Sequence, residues 1–162
     1  MYLGDYMPGL NHSIIYRENS NLLEEEWKII KFNPLSINGI EIVKENYFEI
    51  HDDIIRWFID IFNWVEMYNP SKKEITNGFC YWGVTIIEQK NIFVLNKIIK
   101  SLIDLFINAP ENIILTGNYI GGKMGYDKIN IDKNKIMLKL NKFKSLIGKV
   151  INEGGYILHC GI

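Results

Sequence analysis

The chain has 162 residues, of which 48% are apolar and 13% aromatic. This composition excludes a disordered tail and provides enough apolar surface for the core of one domain, residues 1–162. The net charge of −1 conceals two oppositely charged halves. Residues 1–70 contain twelve acidic and five basic side chains, whereas residues 71–162 contain seven acidic and thirteen basic ones. Such a dipolar distribution can steer a charged partner.

The sequence predicts a cytoplasmic protein. It shows no secretory signal pattern, and its most apolar stretch, residues 54–65, is too short to span a bilayer. Cys80 and Cys160 both lie in apolar, strand-like surroundings, which is typical of reduced core cysteines. We therefore expect no membrane contact and no disulfide framework.

The first half of the chain predicts strands over 13–17 and 26–32, and Asn38-Gly39 is a typical hairpin turn. A helix is expected to begin at Asp52 and Asp53, whose carboxylates can accept the free N–H groups of its first turn. The apolar residues that follow repeat at intervals of three and four; they are Ile54, Ile55, Phe58, Ile61, Phe62 and Val65. Pro70 marks the expected end of this segment, and Trp57 and Trp64 form a second stripe seven residues apart.

The second half gives clearer patterns. In chain order it predicts a strand over 79–87, a helix over 90–107, strands over 112–117 and 126–131, a long helix from the capping residue Asp132 to Gly154, and a strand over 155–162. The resulting order is β-α-β-β-α-β, as in split βαβ units. We expect a single α+β domain with about three helices and a mixed or antiparallel sheet.

One short motif suggests a nucleotide site. In GNYIGGKM, Gly117, Gly122 and Lys123 have the spacing of a phosphate-binding P-loop, but Met124 replaces the required Ser or Thr. A strand pattern follows where a P-loop needs a helix N-terminus. We interpret the segment as a glycine-rich hairpin turn and predict no cofactor.

Catalytic and metal sites receive no support. His159 and Cys160 are neighbours in a predicted strand, so their side chains point to opposite faces and cannot act together. His12 and His51 lie in other segments, and the two cysteines lack the paired spacing of zinc ligands. We expect no catalytic residues and no metal.

Two charged features permit other interpretations. Lysines at 135, 139, 142 and 149 share one face of the last helix, but stacking aromatics and arginines are absent there, so an RNA- or DNA-binding module remains the alternative. Acidic clusters, including Glu24-Glu25-Glu26, are typical of a solvated face or a protein-binding surface. A small enzyme whose site is assembled by the fold from scattered groups is a further alternative.

The C-terminal half, about residues 80–162, resembles small cytoplasmic immunity proteins of bacterial toxin–immunity systems, including those of contact-dependent growth inhibition. The segments that carry the resemblance are GVTII, LIDLFINAPENIILTGNY, YDKINID and YILHCGI. It implies an inhibitor that binds a cognate toxin, often a nuclease, and performs no reaction. No functional residue is implied by it, because its motifs are structural in character.

Combining the resemblance with the charge pattern, we predict a toxin-neutralising binding protein that is not an enzyme, with a monomer as the simplest state. Carboxylates would meet the basic surface of a nuclease-type toxin, and tryptophans would anchor the contact. The expected partner-binding residues are Glu24, Glu25, Glu26, Trp27, Asp53, Trp57, Asp60 and Trp64.

Overall fold

A computed structural model of the protein describes residues 10–18, 36–37, 40–41 and 44–162. The strands are β1 Asn11–Arg17, β2 Ser36–Ile37, β3 Ile40–Glu41, β4 Tyr47–His51, β5 Glu66–Asn69, β6 Glu74–Asn77, β7 Val84–Glu88, β8 Asn112–Ile120, β9 Gly125–Asp132 and β10 Tyr156–Cys160. The α-helices of the described residues are α1 Asp52–Phe62, α2 Gln89–Ile107 and α3 Lys133–Glu153. The predicted α+β class is confirmed.

Six strands form one antiparallel sheet in the order β4-β1-β10-β7-β5-β6. Strand β10 lies at the centre of this sheet, and all five of its residues are buried. The chain enters it through Gly154 and Gly155, both with positive φ, a conformation that favours glycine. The predicted final strand is confirmed.

One face of the sheet carries the helices. Apolar side chains from α1, α2 and α3 pack together with inward residues of the strands, among them Ile14, Phe48, Ile87 and Ile157. On the opposite face a smaller apolar cluster contains Ile15, Val84, Ile86, Tyr156, Leu158 and Cys160. None of the described helices has the length and apolarity needed to cross a membrane.

The predicted β-α-β-β-α-β order is confirmed, but the strands do not join into one sheet. Strands β7 and β10 pair directly, whereas β8 and β9 form a separate two-stranded hairpin. Ile113 and Leu115 from β8 are buried, and Ile129 and Ile131 from β9 pack against the same core. The hairpin therefore serves as an additional layer over the helices.

Several boundaries differ from those predicted. Helix α1 ends at Phe62, well before Pro70, and the short strand β5 lies between them. Strand β7 begins at Val84, five residues later than expected, because residues 78–83 form turns and irregular backbone. Strands β2 and β3 pair on either side of Asn38-Gly39, as the hairpin prediction required. The strand predicted over 26–32 lies outside the described residues.

Helix starts illustrate how local chemistry fixes a boundary. At α3 the Asp132 carboxylate accepts from the backbone N–H groups of Asn134 (2.7 Å) and Lys135 (3.2 Å), as predicted. At α1 the prediction was wrong. The capping residue is His51, whose Nδ1 accepts from the Asp53 N–H at 3.2 Å. Asp52 instead turns into the protein.

Candidate protein-interaction surface

Three predicted partner-binding residues lie together on the outward side of α1. One face of this helix carries four residues at intervals of three, one and three positions: Asp53, Arg56, Trp57 and Asp60. We call these four residues the α1 face. Glu24, Glu25, Glu26 and Trp27 lie outside the described residues.

Trp57 combines a fixed position with an accessible edge. Its side chain is 43% exposed, while its ring meets those of Phe58 and Phe106 in edge-to-face contacts, with centroids 5.2 Å and 6.2 Å apart. An aromatic ring held in place in this way loses little conformational entropy when a partner covers it. Trp57 has the properties of a binding anchor.

Trp64 lies close to α1 but outside the helix. It occupies the turn after Phe62 and is 72% exposed. The prediction that Trp64 shares a helical stripe with Trp57 was therefore wrong. Val65, directly after it, is buried in the core. Trp64 thus stands on a short connection between α1 and β5, with its side chain in solvent.

Arg56 connects the α1 face to the β8–β9 hairpin. Its guanidinium donates to the Asn118 side-chain oxygen at 2.6 Å. Asn118 lies where the register of the hairpin shifts, between Thr116 and Tyr119. Gly117 allows a close approach at this irregularity, because a Cβ there would stand 3.2 Å from the Cβ of Asp127 on the opposite strand and would press the two strands apart slightly.

Beyond this irregularity the hairpin extends away from the core. Residues 117–126, which we call the hairpin tip, carry an exposed aromatic pair, Tyr119 and Tyr126, with ring centroids 5.4 Å apart. Added Cβ atoms at Gly121 or Gly122 would meet no atom within 4 Å. Met124 is 86% exposed and adopts a left-handed backbone conformation with φ 47°. This segment is the glycine-rich turn predicted from the P-loop-like motif, and no helix follows it.

A second polar arrangement lies inside the protein, where the sequence did not predict it. His12 Nδ1 is 2.9 Å from His159 Nε2, His12 Nε2 is 3.1 Å from Asp52 Oδ1, and His159 Nδ1 is 3.4 Å from the Thr85 hydroxyl. We call Thr85, His159, His12 and Asp52 the histidine chain. All four residues are at most 3% exposed. The expectation that His12 belongs to an unrelated segment was wrong.

Burial decides the protonation of this cluster. Loss of water lowers the pKa of His12, an effect that the nearby Asp52 carboxylate only partly offsets. Burial, together with the proximity of His12, lowers the pKa of His159 well below its usual value. Both imidazoles are therefore neutral at pH 7.

The enclosure of the histidine chain also limits its chemistry. Phe79 stacks on His159 with a centroid distance of 4.2 Å, and Tyr81 packs edge-on to His12 at 5.3 Å. A substrate cannot reach either imidazole in this arrangement. Cys160 points to the opposite face of the sheet from His159, as predicted, and burial raises its thiol pKa to about 12. Among the described residues, no group of three or more His, Cys, Asp or Glu side chains could hold a metal ion.

Two lysines of α3 make contacts within the protein. Lys133 donates to the Ile107 carbonyl at 2.7 Å, and Lys149 donates to the Asn46 side chain at 2.6 Å. Lys139, Lys142 and Lys149 are only partly exposed. These contacts reduce the number of charges that the helix could direct at a nucleic-acid backbone.

Comparisons with protein-family models, with curated proteins and with solved structures find no match to this chain.

Proposed function

We propose that this protein is an immunity protein that binds a cognate bacterial toxin in the cytoplasm and neutralises it stoichiometrically. The α1 face is the observation that carries the proposal. It combines a fixed, partly exposed tryptophan with two outward carboxylates, Asp53 and Asp60. The resemblance of residues 80–162 to immunity proteins supports the same class.

The chemistry of the α1 face favours a basic partner. Asp53 and Asp60 attract positive charge, and they outnumber Arg56, whose guanidinium is turned towards Asn118 of the hairpin. Nucleases must be basic where they meet phosphate, so a nuclease-type toxin offers the complementary surface. Charge of this kind mainly accelerates encounter and excludes wrong partners.

Affinity requires a desolvated centre in addition to charge. Nanomolar binding corresponds to about −12 kcal/mol, and in protein interfaces a few aromatic and arginine anchors supply most of it. Trp57 is the central anchor of the proposed contact. The hairpin tip is joined to α1 through the Arg56–Asn118 hydrogen bond and offers the exposed pair Tyr119 and Tyr126 as further aromatic contacts.

Coexpression with the product of the adjacent upstream gene tests the proposal. We expect the two proteins to copurify, and we expect this chain to restore growth in cells that express the toxin. Failure of both copurification and growth rescue would refute the toxin-binding function.

Two variants then test the interface. Trp57→Ala should weaken binding at least tenfold, and Asp60→Lys should slow association most strongly at low salt. Phe93→Ala, which also truncates an exposed aromatic ring, and Asp104→Lys, which makes the same charge reversal, lie on α2 and serve as controls. Copurification that is equally insensitive to all four substitutions would place the interface away from α1.

A further inference from the structure

The hydrogen atoms of the histidine chain can be counted from its geometry. An ionised Asp52 only accepts, so His12 must carry its hydrogen on Nε2 and present Nδ1 as an acceptor. His159 then donates from Nε2, and its Nδ1 accepts from the Thr85 hydroxyl. Three contacts are thus served by three hydrogens, all running in one direction towards Asp52.

One added proton can be tolerated. If His159 gains a hydrogen on Nδ1, Thr85 can turn its hydroxyl and accept, since its oxygen already accepts from the Cys80 N–H at 2.8 Å. The resulting single positive charge has one buried carboxylate, Asp52, as its counter-ion. The hydroxyl hydrogen of Thr85 loses its acceptor, which is a modest cost.

A second added proton cannot be tolerated. Both imidazoles would then carry hydrogens on every nitrogen, so His12 Nδ1–H and His159 Nε2–H would face each other across 2.9 Å. The rings are stacked with centroids 5.1 Å apart, so two like charges would also lie in contact without water. The contact must open when both histidines are cationic.

The surroundings offer no further compensation for that charge. Among the described residues, the ionisable groups near the pair are Asp52 from α1, His51 at the end of β4, and Tyr81 in the connection between β6 and β7. Asp53 and Arg56 act on the outer side, near the Tyr81 hydroxyl. Burial and the nearby Asp52 carboxylate raise the pKa of Tyr81 to about 12.

The cover over the two imidazoles consists of two parts. Phe79 and Tyr81 belong to the irregular segment 78–83, and Asp52 is the first residue of α1. Segment 78–83 is held in part by the Cys80 N–H bond to Thr85, which is itself a member of the histidine chain. Backbone hydrogen bonds to Val65, Gly161 and Ile162 also hold it, so displacement of the segment requires these bonds to open as well. A doubly protonated pair can therefore reach water by displacement of this segment and of the first turn of α1.

We propose that the histidine chain is an acid-sensitive contact that holds segment 78–83 and the first turn of α1 against the sheet, and that double protonation releases them. The device adjoins the α1 face, since Asp53 follows Asp52 directly. If the release also regulates partner binding, acid weakens the complex; this regulatory role rests on the proposed function. The conformational release itself requires no partner.

Amide hydrogen exchange of the isolated protein tests the release. Between pH 7.5 and pH 5.0 we expect the protection factor of the Cys80 amide, corrected for intrinsic exchange, to fall at least tenfold. Amides in the middle of α2, such as that of Leu102, should keep their protection over this range. Constant protection of Cys80, or its loss only together with α2, would overturn the proposal.

A matched pair of variants identifies the histidines as the cause. His159→Gln leaves one imidazole, so the donor–donor contact cannot arise, and the acid response of the Cys80 amide should disappear. His51→Gln removes the histidine that caps α1 but leaves the His12–His159 contact in place, so the acid response of the Cys80 amide should persist. The opposite pattern would refute the assignment.

If His159→Gln does not fold, the wild-type protein still decides the question. The imidazole signals of His12 and His159 should show uptake of no more than one proton while Cys80 remains protected. Uptake of two protons by a protected, unopened protein would overturn the proposal. Partner binding at pH 5.0 is measured separately, so a failure of the toxin-binding proposal leaves this result unaffected.

Discussion

Asp52 and Asp53 are adjacent in the sequence but occupy opposite environments. The Asp52 carboxylate lies 3.1 Å from His12 Nε2 and has a side chain only 5% exposed, whereas the Asp53 side chain is 34% exposed. The first belongs to the buried histidine chain and the second to the α1 face. The two residues therefore belong to separate sites, a buried network and the proposed interaction surface.

This difference predicts unequal effects of the same substitution. Asp52→Asn removes the charge that accepts from the buried His12 imidazole, and should lower the free energy of unfolding by about 1–3 kcal/mol. Asp53→Asn, at the surface, should change it by less than about 0.5 kcal/mol. Urea denaturation at pH 7.5 measures both, and equal effects would contradict the buried role of Asp52.

Stability should fall on the acid side of neutrality. In the folded protein the pKa values of His12 and His159 are lowered, whereas in the unfolded chain they lie near 6.5. Below pH 6.5 the unfolded chain therefore binds protons that the folded protein refuses. The contribution of the two neutral imidazoles to the free energy of unfolding is complete above pH 6.5. It is lost as the pH falls from 6.5 towards the lowered pKa values of the folded protein.

The expected slope is about 1.4 kcal/mol per pH unit for each histidine that stays neutral in the folded protein. Urea denaturation midpoints at pH 7.5, 6.0 and 5.0 measure this slope above the range in which ordinary carboxylates titrate. His159→Gln should show a shallower dependence than the wild type. A stability that does not change between pH 7.5 and 5.0 would show that both imidazoles accept protons freely.

The backbone conformation of Met124 is predicted to lower the free energy of unfolding, while its exposed side chain is available for a contact with the proposed partner. It holds φ 47°, a left-handed conformation that costs a residue with a side chain about 1 kcal/mol or more, and its side chain is 86% exposed. Met124→Gly should therefore raise the free energy of unfolding by about 0.5–1 kcal/mol, measured by urea denaturation. If the hairpin tip contacts the toxin, the same variant should bind it more weakly. A destabilised Met124→Gly would mean that the methionine side chain packs within the fold.

Removal of residues 155–162 should abolish folding. These residues include β10, which pairs with β1 on one side and β7 on the other, so its loss divides the six-stranded sheet. We expect the truncated chain to lack a cooperative thermal transition by circular dichroism. As a milder control, Leu158→Ala should retain the transition with a loss of about 2–5 kcal/mol, because Leu158 is fully buried. A cooperative melt of the truncated chain would contradict the central position of β10.

Elements with strong local signals could be predicted from the sequence. Helices α2 and α3 each show an apolar stripe over many residues, and Asp132 marks the start of α3 with a side chain that caps it. The short strand β5 could not be predicted in this way. Its four residues, EMYN, have no distinctive pattern, and it is stabilised by pairing with β6 and β7.

Pairing between distant strands was the main unpredictable feature. The order β-α-β-β-α-β does not determine whether the middle strands join β7 and β10, and here they form a separate hairpin. The α1 face was partly predictable, because Asp53, Trp57 and Asp60 follow helical spacing. Trp64 was misplaced because the helix ends at Phe62 and a short turn leads from there to β5, which begins at Glu66.

The histidine chain illustrates a site that spacing cannot reveal. His12 and His159 are 147 residues apart and meet only because β1 and β10 are neighbours. One signal was present in the sequence: Thr85 and His159 stand among apolar neighbours in their strand segments, and His12 closely precedes the apolar residues Ile14 and Ile15. A polar residue in a buried strand needs a partner, and three such residues in one sheet favour a shared network.

The pairing of β1 with β10 also has a consequence for biosynthesis. Strand β1 leaves the ribosome more than a hundred residues before its partner and must wait without its neighbour at the centre of the sheet. The pairing requires closure of a loop of more than a hundred residues, so this step of folding should be slow. Until β10 is in place, β1 leaves Ile14 and Ile15 without the cover that they have in the folded protein, which favours aggregation.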